Sequence, residues 1–253
     1  FDPDRVVLLP LYPQFSTTTT ASSEKMWFQA AKAAGLDKPT VTVCCYPTEP
    51  GFIKAAARLI RSGVAEAAAH GKPRVLFSSH GLPKKVVKGG DPYQWQCERT
   101  AEAIVQELGM PGLDWVSCYQ SRVGPLEWIG PSTDSEIERA GADKVPLVVV
   151  PIAFVSEHSE TLVEIEVEYR ELAHEKGVPH FVRVPTVGVE DAFVQGLARL
   201  VRQAVAGEVK MCSQSGGRIC PDGFQGCPQR ARQQTSRQSP VGGQQAKRPL
   251  AAE

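Results

Sequence analysis

The feature that most constrains the fold is a set of short apolar runs, each followed by a longer stretch of helical pattern. The runs are "RVVLLPL" (5–11), "TVTVCC" (40–45), "RVLFSS" (74–79), "DWVSCYQ" (114–120), "KVPLVVVPIAF" (144–154) and "HFVRV" (180–184). Helical patterns fall at 22–34, 52–70, 93–108, 132–140, 159–176 and 190–206. Strands apolar on both faces must be covered on both faces, and helices returning between them make the strands parallel. The expected class is α/β, with doubly wound parallel sheets. In such sheets ligands bind beyond the carboxyl ends of the strands, so the residues after each run carry the functional weight. Those residues are "YPQFSTTTTASS", "SSHGLP", "QSRVGPLEW" and "SEHSE". No Gly-rich dinucleotide fingerprint occurs among them, which disfavours a nucleotide enzyme.

Composition narrows the partners. Lys+Arg and Asp+Glu are both 28, so nothing in the charge balance points to nucleic acid. No apolar stretch reaches the length of a membrane span, and no signal-peptide pattern opens the chain. Seven cysteines, two of them adjacent (Cys44 and Cys45), without a secretory signal favour a reducing cytoplasm over a disulfide framework. The chain opens at Phe1 without methionine, and "RVVLLPLYP" reads as a buried strand with nothing ahead of it to pair with. The expectation is that an N-terminal portion is missing. Beyond Val209 the composition changes: cysteine, glycine and proline punctuate 212–228, and residues 229–253 read as a disordered, modestly basic tail.

His80 follows a buried strand directly, with Gly81 and Pro83 shaping a turn, and an imidazole there suits proton transfer or metal binding. In "SEHSETLVEIEVEY", Glu157, His158 and Glu160 sit where another strand ends and a helix begins. Helix capping by Ser156 or Ser159 and the helix dipole account for Glu160 and Glu157. They do not account for Glu164 and Glu168, which continue one face at i+4 and i+8. Like charges at that spacing are mildly destabilising, so the column is either a solvated face or a path for cations or protons. Histidine with carboxylates suits a transiently held divalent metal such as Fe²⁺. Trp128, Phe154, Tyr12 and Phe15 also lie at or beyond strand ends, where several aromatics could line a slot for a large flat ligand. Cys212, Cys220 and Cys227 have no standard zinc or ferredoxin spacing, and a metal centre there needs a fourth ligand, for which Cys44 and Cys45 are the natural donors.

Taken in order, "YPQFSTTTTASS", "LFSSHGLPKKVVKGGDPY", "QSRVGPLEWIGPSTD" and "VPIAFVSEHSETLVEIEVEY" resemble the ferrochelatase family, from about Val6 to Val209. The resemblance implies two similar Rossmann-like half-domains of chelatase type, the first largely missing here. Residues 1–20 would end the first half, 21–190 form the second, 191–211 a C-terminal helix and 212–228 the cysteine-rich segment. It implies insertion of Fe²⁺, as substrate, into protoporphyrin IX to give protohaem. The active-site histidine falls on His80 and its facing glutamate on Glu160. His158, Ser121, Trp128 and Phe154 fall on porphyrin-binding positions. Glu164 and Glu168, with His80 and Glu160, fall on the metal or proton route. It further implies a porphyrin as partner, peripheral contact with a membrane, and a monomer or homodimer.

Some members hold a [2Fe–2S] cluster through C-terminal cysteines and one cysteine of the "YPQ-S" motif. That last position is Thr17 here. Cys212, Cys220 and Cys227 would then need Cys44 or Cys45, and Cys45 is taken as the fourth ligand. The alternatives are coproporphyrin III or another tetrapyrrole as substrate, or a non-catalytic haem- or metal-binding redox sensor on the same scaffold. With its first half largely missing, the chain alone is expected to be inactive.

Overall fold

In the computed structural model, which describes residues 2–229, seven parallel strands form two sheets. Strands β1 (Val6–Leu8), β2 (Thr40–Val43) and β7 (Met211–Cys212) form one, in the order β1-β2-β7. Strands β3 (Arg74–His80), β4 (Asp114–Gln120), β5 (Leu147–Pro151) and β6 (Phe181–Arg183) form the other, in the order β4-β3-β5-β6. Helices α1 (Thr20–Ala33), α2 (Pro50–Ala67), α3 (Lys84–Lys88), α4 (Tyr93–Leu108), α5 (Thr133–Asp143), α6 (Tyr169–Glu175) and α7 (Asp191–Ala206) connect the strands.

The expected α/β class and parallel pairing hold, and proline sets the strand lengths. A proline nitrogen has no hydrogen to give a ladder. The run at 5–11 therefore pairs only over Val6–Leu8 before Pro10, and the run at 144–154 only over Leu147–Pro151, between Pro146 and a turn at Ile152–Ala153. β1 is half-buried, not buried, and its partner β2 follows it in the chain, with Val6 opposite Thr40. The sheets divide at α2, after β2, and not after Thr20. The strand Met211–Cys212 falls where a helix end and a loop were expected, and α7 stops at Ala206 because Gly207 adopts an extended conformation. The tail at 230–253 lies outside the described residues.

Period-2 alternation gives the second sheet two buried faces. Val75 and Phe77 join Val148 and Val150 in a core around α2, which also takes in Val43, Ile60, Ile104 and Leu200 and so spans both sheets. Leu76 and Val149 face the opposite side with Ile137, Ile165 and Tyr169. Each such fully buried side chain contributes about 1.5–3 kcal/mol. The crossing of α2 and α7 is close: a Cβ on Gly196 would stand 2.2 Å from Glu49 Oε2. Buried Glu49 caps α2 by accepting from the Phe52 N–H at 2.8 Å and also binds Arg199.

The helix expected at 159–176 is two structures. Glu160–Glu168 is a π-helical segment, and α6 continues from Tyr169. An i→i+5 stretch of this kind is rare and is frequently found at functional sites.

Candidate active site

The carboxyl end of β3, the segment after β5, the loop after β1 and Trp128 open on one cleft of about 770 Å³. His80 ends β3, directly opposite Gln120 on β4. Its Nδ1 lies 2.9 Å from Glu160 Oε2, and the side chains are 43% and 38% exposed. This pair lines the cleft together with Trp128, Phe154 and His158, so five of the expected site residues converge there. Tyr12 lines it as well, whereas Phe15 is buried against Cys44 and Cys45.

Local contacts build the wall that carries Glu160. His158 Nδ1 accepts the Glu160 N–H at 3.1 Å, and its ring meets Phe154 edge-on, centroids 4.6 Å apart. Thr161 Oγ1 accepts from the His158 N–H and donates to the His158 carbonyl, both at 3.0 Å. Arg183 on β6 reaches Glu157 at 3.0 Å and Glu166 at 2.9 Å, one glutamate on each side of Glu160. Burial alone would raise the Glu157 carboxyl, but hydrogen bonds from Thr161, the Thr186 N–H and Arg183 bring it below the usual carboxylate range.

The other expected residues lie elsewhere. Ser121 does not line the cleft; its Oγ and N–H donate to Glu164 at 2.6 and 2.8 Å. Glu164 therefore faces the end of β4, and Glu168 is exposed, its side chain in no hydrogen bond or ion pair among the described residues. Sequence reasoning missed Gln14 and Tyr93, which line the cleft, and the buried Asp91 behind it. Asp91 Oδ2 accepts from Ser16 Oγ, the Thr17 N–H and Thr17 Oγ1 at 2.6–2.9 Å, which fixes the loop after β1. "GDPY" between a strand end and a helix was the available signal.

Four thiols gather behind that loop. Cys44 and Cys45 have sulfurs 3.4 Å apart. Cys45 is held well above its usual pKa by its hydrogen bond with Cys44, by burial and by the nearby Cys220 and Cys227. Cys227 is pulled down to about 6, first by a hydrogen bond from Cys220 and then by the Gln229 N–H and Arg218, and Cys220 is correspondingly pushed up. Met211 packs on the Cys44–Cys45 side, so the next residue of the strand faces the other way, and Cys212 belongs to the core around α2. Among the described residues no group of three or more His, Cys, Asp or Glu stands in a ready-made metal-binding arrangement. Cys97 and Cys118 are inert, their thiols pushed up to about 12 by burial.

The parallel α/β scaffold with its cleft at the strand ends is similar in fold to two solved structures. SirB from Bacillus subtilis with Fe³⁺ has a TM-score of 0.56 at 14% identity, over 80% of this chain and 72% of that one. The sirohydrochlorin chelatase SirB from Bacillus subtilis subspecies spizizenii in complex with cobalt has 0.52 at 14%, over 79% and 69%. The ferrochelatase family model matches residues 1–205, and the chain belongs to the ferrochelatase family. It is 52% identical to the ferrochelatase of Caulobacter vibrioides strain NA1000 / CB15N over 90% of this chain and 65% of the relative. It is 54% identical to that of Phenylobacterium zucineum over 78% and 57%, and 44% identical to that of Rickettsia conorii over 90% and 65%. The chain thus spans 57–65% of the length of these relatives.

Proposed function

We propose that the protein inserts Fe²⁺ into protoporphyrin IX, releasing two pyrrole protons and giving protohaem. The observation that carries this reading is the 2.9 Å contact between His80 and Glu160 on the wall of a cleft faced with Trp128 and Phe154. A free macrocycle is nearly planar and shields its nitrogens, so binding energy has to go into bending it. Flat aromatic walls supply that contact, and the imidazole and carboxylate supply acceptors for the two protons lost as the metal enters. His158 buttresses Phe154 and orients Glu160 through its backbone.

The test is loss of porphyrin fluorescence with Fe²⁺ in the complete polypeptide. Removing a proton-transfer group costs about 10²–10⁴-fold in rate, so His80→Ala and Glu160→Gln should each fall within that range. Near-normal turnover by either variant refutes the assignment. Competition between protoporphyrin IX and coproporphyrin III identifies the substrate. Tight porphyrin binding without iron uptake would instead support a sensor.

Within the same reading, Cys44, Cys45, Cys220 and Cys227 would hold a [2Fe–2S] cluster. Donor type and number fit, with Cys44 in place of Cys212. When bound, the cluster would supply a redox-sensitive tie between the cysteine-rich segment and β2. Protein purified without oxygen should carry iron, sulfide and visible absorption, all lost in Cys220→Ser. Zinc, or no metal at all, in the unsubstituted protein refutes this.

A further inference from the structure

We propose that Glu164 is a positioning residue that, with Gln120 and Ser121, locks the π-helical segment to the end of β4 and so sets Glu160 against His80. Four donors fill its carboxylate. Ser121 N–H and the Tyr169 hydroxyl reach Oε1 at 2.8 and 3.1 Å, and Ser121 Oγ and Gln120 Nε2 reach Oε2 at 2.6 and 3.0 Å. An ionised carboxylate has about four lone-pair sites, so nothing is left to take a metal or pass a proton without breaking the set. Tyr169 remains a donor, because burial and then the Glu164 charge push its phenol pKa up.

The donors are themselves fixed. Gln120 is fully buried and accepts from Ser78 Oγ on β3 at 2.7 Å, while its amide also approaches the Glu160 carbonyl at 3.4 Å. It therefore ties together the strand that ends in His80 and the backbone that carries Glu160. Ser121 has φ +57°, a left-handed conformation unfavourable for a non-glycine residue. Without its two bonds to Glu164 that conformation would have little to hold it.

The kinetic part rests on the ferrochelatase reading; the structural part does not. In Glu164→Gln an amide N–H₂ meets donors, and amide exchange across 158–165 should rise about tenfold or more while the β3–β5 sheet stays protected. In the complete polypeptide kcat for metallation should fall about tenfold or more, with KM for porphyrin and for Fe²⁺ each within about threefold. Unchanged exchange in Glu164→Gln overturns the lock. A tenfold rise in KM for Fe²⁺ with kcat retained also overturns it, in favour of a metal route. If Glu164→Gln does not fold, Ser121→Ala reads the same lock, with exchange about threefold faster over the same residues expected and unchanged exchange overturning it. If the unsubstituted polypeptide metallates no porphyrin, the functional reading fails and exchange alone decides the lock.

Discussion

Arg183→Met tests whether the Glu160 segment is held from β6 as well as from β4. Arg183 is 14% exposed and binds Glu157 through Nη1 at 3.0 and 3.1 Å and Glu166 through Nε at 2.9 Å. Methionine keeps the apolar stem and removes the cation. A buried hydrogen bond to a charged group contributes about 1.5–3 kcal/mol, but these carboxylates are about a third exposed, and solvent screening reduces each contact to about 1–1.5 kcal/mol. The expected loss is about 2–3 kcal/mol, or a fall in Tm of about 4–10 °C for a domain of this size. Calorimetry measures the fall, and exchange mass spectrometry should place the loosening at 157–168. The pH dependence has a definite sign. Glu157 has its carboxyl depressed in the folded state, so its contribution is fully present above the ordinary carboxyl value of 4.5 and is lost as pH falls through the folded value. The gap in Tm between the two proteins should be full at pH 7 and shrink below about pH 4. A Tm unchanged at pH 7, or a gap that persists undiminished at pH 3, would refute the clamp.

Two further outcomes are expected. Gly196→Ala forces a Cβ to 2.2 Å from Glu49 Oε2, so it should break the capped, buried glutamate and its pairing with Arg199, costing about 2–4 kcal/mol by thermal melt; a melt within 1 °C of the unsubstituted protein contradicts so close a crossing. In protein freed of metal and kept reduced, thiolate absorbance near 240 nm should appear with a midpoint near 6 and vanish in Cys227→Ser, whereas a first midpoint at the ordinary thiol value of 9.0 would show that Arg218 and Cys220 do not stabilise the Cys227 thiolate.

Most of the second sheet was legible because burial on both faces leaves an unbroken apolar run, as in β5 with Leu147, Val148, Val149 and Val150. What the runs hid was their ends, since Pro10 and Pro146 are apolar by composition yet bound a ladder. The cysteine set was half legible. Spacing along the chain cannot say which face of a two-residue strand a side chain takes, and Cys212 packs in the core around α2. In the site, a strand-end position was enough to single out His80 and Glu160. Gln120 and Asp91 escaped notice because their importance lies in partners 44 and 74 residues away.

The π-helical register was not legible at all, and its cause lies outside the segment. "ETLVEIEVE" has the spacing and propensities of an ordinary helix. A stack of glutamates at 160, 164 and 168 would there be a line of like charges. In the folded chain each meets a different environment: Glu160 an imidazole, Glu164 four donors at the end of β4, and Glu168 water. Two anchors on different strands, His80 on β3 and the Gln120–Ser121 corner of β4, must be met by carboxylates four residues apart while Thr161 and Ile165 stay buried on the same segment. Widening the bonding from i→i+4 to i→i+5 adds a residue to each hydrogen-bonded loop and changes the angle between those side chains. The repulsion is thereby offset by contacts that an isolated helix could not make, and the same contacts hold Glu160 beside His80.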